Sequence, residues 1–462
     1  MKSFINRAKE LEFLNNEYTR EGSSLVILYG RRRIGKTALA SEFMKNKKAL
    51  YLLATEESEA QNRAAFKEIA ADFTGNELLK NAHIDKWDMI FKTLLDYKTE
   101  GKKVIIIDEF QYLGKSNPAF PSIFQRIWDT MLKDADVMVI LCGSLISMME
   151  SQTLNYDSPL YGRRTGQIKL KQIPFLYYDQ FFPDKSRNEL IEYYSITGGV
   201  PKYIELFYQS DDIYSAIEEN VLRKASFLYD EPNFLIQREV SEIGSYFSII
   251  KTIAAGNQKI GKIATALELK QTGLTKYLRT LINLDILERE VPVTEDNPEK
   301  SKRGLYRIKD NFMLFWFRFV YPNISYIESG NVDLAMKKIR QDLVKRHISY
   351  VYEDICTEEM WKLNSEGKWD FHFDRAGRWW NNNEEIDIIA IDSSGNDIVF
   401  GECKYSDNKV GTDILLSLEK KAKLVEWKQK NRREWFVLFS ISGFTDDLKK
   451  LFKKRKDVLL FS

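Results

Sequence analysis

The sequence predicts a multidomain α/β protein, and three observations carry that prediction. At 462 residues the chain is about three times the ~150 residues of an ordinary domain. Short β-branched runs alternate with helical patterns through its first part, the mark of a parallel sheet. Those runs are apolar throughout and do not alternate with polar residues, so helices should cover both faces of the sheet.

Taken in order, Ser24 to Tyr29 (SLVILY) is the first strand, and Lys36 to Asn46 opens a helix. Ala49–Ala54, Val104–Ile107, Asp136–Cys142 and Thr165–Leu170 supply four more strands. From Tyr177 to Asn233 helices dominate, interrupted at Thr197-Gly-Gly-Val-Pro-Lys-Tyr. There the glycines can stop one helix, and Pro201 suits the first turn of the next. Ser245–Ile308 then reads as three helices (Tyr246–Ala255, Lys259–Leu267, Thr272–Asn283) and two strands, Ile286–Val291 and Gly304–Ile308, around a polar loop, Thr294–Arg303. A final α/β stretch runs from Lys345 to Ser462. The expected division is therefore 1–176, 177–240, 241–322, a connecting segment 323–344, and 345–462.

Composition excludes several classes. Hydrophobic residues at 44% and charged residues at 29% rule out disorder or a fibrous repeat. A net charge of +2 excludes a polyelectrolyte role for the whole chain, so any nucleic-acid contact must come from a local patch. Three scattered cysteines (Cys142, Cys356, Cys403) and three scattered histidines exclude structural zinc and a disulfide framework. No apolar run approaches the ~18 residues of a membrane span, and MKSFINRAKELEF has no signal-like apolar core. The expectation is a cytoplasmic protein without a membrane partner.

Gly30-Arg31-Arg32-Arg33-Ile34-Gly35-Lys36-Thr37, with Ala38 next, fits G-x-x-x-x-G-K-[ST] after a strand and before a helix. Its glycines let backbone N–H groups turn around phosphate oxygens, and the helix N-terminus adds its positive end. Lys36 would reach the outer phosphates and Thr37 would offer a hydroxyl to Mg²⁺. Val104-Ile-Ile-Ile-Asp108-Glu109 is an apolar strand ending in two acids, the Walker B pattern. Asp108 would hold Mg²⁺, and Glu109 would polarise the attacking water.

On these motifs the first 240 or so residues resemble the archaeal-type ATPases of the STAND class, an AAA+-related group of P-loop ATPases. Further matching features are Phe4-Ile-Asn-Arg7 with Glu10-Leu11, Gly143-Ser144, Leu160-Tyr-Gly-Arg163-Arg164 and Gly198-Gly199-Val-Pro201. The resemblance implies ATP and Mg²⁺ as ligands and Phe4–Leu11 near the adenine. It also implies Ser144 as a sensor of the γ-phosphate, Arg163 or Arg164 as an arginine finger, and a helical lid that includes the GGVP turn; the sequence leaves a homo-oligomer open.

Lys259–Leu267, a break near Lys270-Gln271, and Thr272–Asn283 read as helix–turn–helix, with the following strands as a wing. Five basic residues (Lys259, Lys262, Lys270, Lys276, Arg279) stand against one acid, Glu268, across this segment. Lys276 and Arg279 share a helix face that could meet phosphates, duplex DNA being favoured. Packing or partner docking is the alternative use of such a winged helix.

Ile386–Asp392 and Asp397–Lys404 are two strands joined by Ser-Ser-Gly-Asn. A symmetric hairpin sets Asp387 opposite Glu402, with Lys404 on the same, largely apolar face. Opposed carboxylates there suit Mg²⁺ or Mn²⁺ and phosphodiester hydrolysis. Asp387 with Glu402-x-Lys404 is similar to the PD-(D/E)XK nuclease fold over about Lys345–Ser462, without the proline of that motif. The resemblance implies a further acid from the first helix, Glu353. The functional expectation is an ATPase that switches a winged helix and a restriction-endonuclease-like domain acting on nucleic acid. Its alternative is an ATP-gated DNA-binding or protein-interaction switch whose last domain does not cut.

Overall fold

The computed structural model describes residues 4–462, which divide into two compact units. The first runs to Ile173 and takes in the short segments Val200–Lys202 and Gln237–Ser241. The second holds Pro174–Gly199, Tyr203–Ile236 and Glu242–Ser462.

In the first unit Ser24–Tyr29 (β1), Ala49–Leu53 (β2), Lys103–Asp108 (β3), Val137–Gly143 (β4) and Gly166–Lys169 (β5) form one parallel sheet in the order β2-β3-β4-β1-β5. Every residue of β1, β3 and β4 is buried, which explains why their sequences do not alternate. Helices Ala8–Thr19 (α1) and Lys36–Met44 (α2) help close one face through Leu14, Leu39, Ala40 and Phe43, packed on Val26, Leu28, Val104 and Ile140. The strand order matters for function. Because the strands are parallel and β4 lies between β1 and β3, Gly143-Ser144 emerges between the loop after β1 and the acids after β3.

The second unit contains most of the expected helix-rich stretch: Arg187–Thr197 ends at Gly198, whose φ is 53°, and helix Pro201–Phe207 starts in the first unit's segment Val200–Lys202 and continues in the second. Ile243–Ala254 (α3), Ile260–Ala266 (α4) and Gln271–Asn283 (α5) lead into the antiparallel pair Leu287–Glu290 (β6) and Leu305–Ile308 (β7). Helix Ser349–Ser365 (α6) precedes a five-stranded sheet of Arg375–Trp380 (β8), Glu385–Ile391 (β9), Asp397–Lys404 (β10), Arg433–Ser440 (β11) and Val458–Phe461 (β12). Its order is β12-β11-β10-β9-β8: β8 to β10 are antiparallel and β10 to β12 parallel. Helices Thr412–Ala422 (α7) and Asp446–Phe452 (α8) cover one face, sharing a core of Leu415, Leu418, Leu448, Phe400 and Phe436.

The segment read as a wing is docked. Val293 packs against the core of the C-terminal sheet, and its N–H donates to Arg378 O at 3.0 Å. Arg375 donates to Glu295 O at 3.1 Å. β8 is an edge strand, and Val293 at the base of this polar loop pairs with its open side. Among the described residues no helix is long and apolar enough to cross a membrane. All three cysteines are buried free thiols.

Candidate functional site

The loop after β1 needs its glycines. Gly30 has φ 146°, and a Cβ there would lie 2.5 Å from Leu170 O; Gly35 has φ 94°. Arg33 also takes a left-handed backbone, with φ 70°. Ile34 is anchored in the core beneath, and buried Arg7 donates to Ile34 O at 3.2 Å and to Lys171 O at 2.6 Å, bracing the loop from behind. The result is a cavity of about 360 Å³ whose rim includes Arg32, Gly35, Lys36, Thr37, Glu109 and Ser144. Gly30, Arg31 and Ile34 shape the loop without lining it, whereas Arg33 and Ala38 are on the wall.

Buried Lys36 donates to Gly30 O and Arg31 O, each at 2.8 Å. Its burial lowers the pKa below the usual lysine value, against the opposing pull of Glu109 and Asp108. Thr37 Oγ1 donates to Asp108 Oδ2 at 3.1 Å, and Tyr51 donates to the same oxygen at 2.5 Å. Burial and the Asp108 carboxylate hold the Tyr51 phenol protonated, well above its ordinary range. A hydroxyl and a carboxylate so close suit Mg²⁺, which binds oxygens and keeps several waters. Glu109, at φ 53°, is turned away from β3 and accepts from Ser144 Oγ at 2.7 Å and from Gln111 Nε2.

Behind Ser144, Glu239 accepts from the Ile146 N–H at 3.2 Å. Burial raises its carboxyl to about 7, opposed by that bond, one from the Ser147 N–H, and the charges of Arg31 and Arg32. Sequence reasoning missed Tyr51, Gln111 and Glu239. Gln111 was accessible as the residue two beyond Glu109, and Tyr51 from pairing β2 against β3. Arg163 and Arg164 are not at the cavity. Arg163 is fastened to Asp129 at 2.8 Å and to Pro159 O, and Arg164 lies over the Tyr161 ring.

In the C-terminal sheet the hairpin register is Ile391 with Ile398 through Ile388 with Gly401, so Asp387 and Glu402 occupy the next step. The charges around them differ from expectation. Buried Glu402 is held by Lys404 at 2.6 Å and by Lys421 of α7 at 3.3 Å. Asp387 Oδ2 accepts from the Cys403 N–H at 2.8 Å, capping the end of the ladder. Glu353 on α6 is paired with Arg378 at 2.6 Å, and Arg378 also approaches Glu290 of β6 at 3.6 Å. Burial raises the carboxyl pKa of Asp387, reinforced by Glu402; burial likewise raises that of Glu353, with Arg378 opposing and Asp387 adding to it. Burial pulls Lys404 down, but Glu402 and Asp387 outweigh it and leave the ammonium above its ordinary value. No group of three or more metal-ligating side chains is assembled among the described residues. Of the expected three-acid set, Glu402 is matched by two lysines and Glu353 by an arginine, while Asp387 holds the Cys403 N–H beside Glu402.

A family described as an ATPase domain predominantly from Archaea matches residues 4–207, and one described as archaeal and bacterial proteins of unknown function matches residues 316–433. The chain is 38% identical over 424 residues to an uncharacterized protein of Methanocaldococcus jannaschii, covering 91% of this chain and 92% of that protein. The chain belongs to the family of that archaeal protein. Its ATPase domain is the part that holds the cavity after β1. An uncharacterized ATP-binding protein of the same organism is 53% identical over 45 residues, 10% of this chain and 76% of that one. The fold matches a Walker-type ATPase of Pyrococcus abyssi with a TM-score of 0.52 at 20% identity, over 68% of this chain and 96% of that chain.

Proposed function

We propose that this archaeal-type ATPase domain binds Mg·ATP in the cavity after β1, hydrolyses it, and thereby switches the hold of the second unit on nucleic acid. The observation that carries the reading is the convergence of Lys36, Thr37, Asp108, Glu109 and Ser144 from three neighbouring strand ends. Lys36 would exchange the loop carbonyls of Gly30 and Arg31 for phosphate oxygens, a charge-assisted replacement for two neutral acceptors. Thr37 and Asp108 would hold Mg²⁺, which supplies charge neutralisation at the phosphates. Glu109 would accept a proton from the attacking water once Ser144 turns from it to the γ-phosphate. Gln111 would keep Oε2, the oxygen it shares with Ser144, in place and leave Oε1 for the water. Because Glu239 caps the residues after Ser144, a movement of Ser144 would be felt at Gln237–Ser241, directly before α3 in the chain.

Exposed Lys276 and Arg279 on α5 support duplex binding by the three-helix segment as a winged helix, and the docked loop would leave α5 as its contact. A second reading, metal-dependent cleavage at Asp387 and Glu402 with Lys404 orienting the water, is favoured by the hairpin register. Glu109→Gln tests the main reading. The variant should bind ATP as wild type does while its steady-state hydrolysis falls by about 10²–10⁴-fold, the usual worth of a general base. Undiminished turnover would remove Glu109 from the mechanism.

A further inference from the structure

Between Lys420 and Lys456 stand thirteen Lys or Arg against four Asp or Glu, a net +9 in a chain whose total is +2. The rest of the protein is therefore net −7, and its positive charge is concentrated in one stretch of the C-terminal domain. The arginines there are spoken for: Arg432 pairs with Glu434, Arg433 with Asp397, and Arg455 with Glu419 and Asp457. Lys420, Lys423, Lys449, Lys453, Lys454 and Lys456 are exposed and form no ion pair among the described residues.

These lysines share one surface. α7 and α8 bury Leu415, Leu418 and Leu448 in the same core, so their outer sides face solvent on the same side of the sheet. Arg455, just beyond α8, ties its loop to Glu419 of α7. Helix C-terminal ends favour lysine by themselves, which accounts for Lys420 and Lys449. It reaches Lys453 at the C-cap of α8 but does not account for Lys454 and Lys456 in the loop beyond. We propose that this outer surface of α7 and α8 is a second nucleic-acid contact, holding the phosphate backbone of a strand that runs toward Asp387 and Glu402. The inference rests on the reading that the second unit acts on nucleic acid. Lys421 supplies the continuity: it projects from the last turn of α7 to Glu402, so one helix carries positive charge from the outer surface to the acid pair. Exposed Leu416, Leu424 and Phe452 lie among the lysines and would equally suit an anionic lipid surface. The link through Lys421 favours the nucleic acid, since a membrane has no use for charge led inward to a buried carboxylate.

The test uses the full-length chain, with Lys453→Gln/Lys454→Gln/Lys456→Gln, with Lys420→Gln/Lys423→Gln, and with Lys276→Ala/Arg279→Ala as a separate arm. Binding to labelled duplex and single-stranded DNA is followed by anisotropy over a series of salt concentrations. Each lost duplex phosphate contact lowers the log–log salt slope by about 0.9, so the triple variant should lose about 2–3 from its slope and the α7 pair about 1–2. Thermal melts matching wild type would show that the variants are folded. If wild type binds and both lysine sets keep its slope, the inference fails while the α5 contact stands on its own arm. If wild type binds neither form, the broader reading fails and takes the inference with it. Binding of wild type to phosphatidylserine vesicles that the triple variant loses, with DNA affinity unchanged, would assign the surface to lipid and overturn the proposal.

Discussion

Replacing Glu239 by glutamine should stabilise the protein only above pH ~4.5, where the unfolded chain's carboxyl begins to ionise. The carboxyl is raised from 4.5 to about 7, chiefly by burial. A carboxyl raised in the folded state favours folding below its ordinary value, and that advantage disappears as pH rises through the folded value. Here the window runs from about 4.5 to about 7, and the difference corresponds to about 3 kcal/mol. The substituted amide would still accept from the Ile146 N–H through its oxygen, but carries no charge to desolvate at any pH. Relative to wild type, the variant should therefore gain about 3 kcal/mol between pH ~4.5 and pH ~8. Other carboxyls raised by burial, such as Glu358, titrate in both proteins and cancel in the difference. Thermal melts of both full-length chains across this range measure it directly. A variant destabilised by the same amount at both ends would show that Glu239 is an ionised cap stabilised by Arg31 and Arg32, and would refute the desolvation argument.

Arg307→Met should cost about 3–5 kcal/mol in urea unfolding, because buried Arg307 neutralises Asp354 at 2.7 Å and Glu290 at 3.0 Å and also pairs with Glu288. A loss under about 1 kcal/mol would mean that these acids find water on their own. Gly30→Ala should abolish ATP binding in calorimetric titration, since its Cβ must displace the Leu170 carbonyl against which the loop is folded; an unchanged affinity would show that the loop tolerates the shift. Asp387→Asn should leave the metal-free melting point at or above that of wild type and remove any Mn²⁺-induced rise. A wild type indifferent to Mn²⁺, with the variant destabilised, would mark Asp387 as the ladder cap that its bond to Cys403 makes it.

The parallel sheet of the first unit was legible because buried β-branched runs have few other uses, and all five expected strands appear within a residue or two of their predicted bounds. The hairpin was legible because a short symmetric turn leaves one register for Ile388 to Gly401. Partners brought by distant elements were not. Lys421 reaches Glu402 from the helix beside its strand, and Arg378 reaches Glu353 from β8; ion pairs of this kind leave no periodic trace in sequence. A paired Arg163-Arg164 likewise cannot announce that Asp129 holds the first. The docked wing loop was hidden for another reason: the edge it covers exists only once β8 has joined the sheet.

The central claim is that phosphates bind where Lys36 now holds the carbonyls of Gly30 and Arg31. Calorimetric titration of Mg·ATP into wild type and Lys36→Ala tests it most directly. The variant loses the ammonium on the cavity rim, leaving Arg32 and Arg33 as the cations there. The account predicts a saturable one-to-one isotherm for wild type and no measurable heat for Lys36→Ala. Equal affinities for the two proteins, or no binding by wild type, would contradict it.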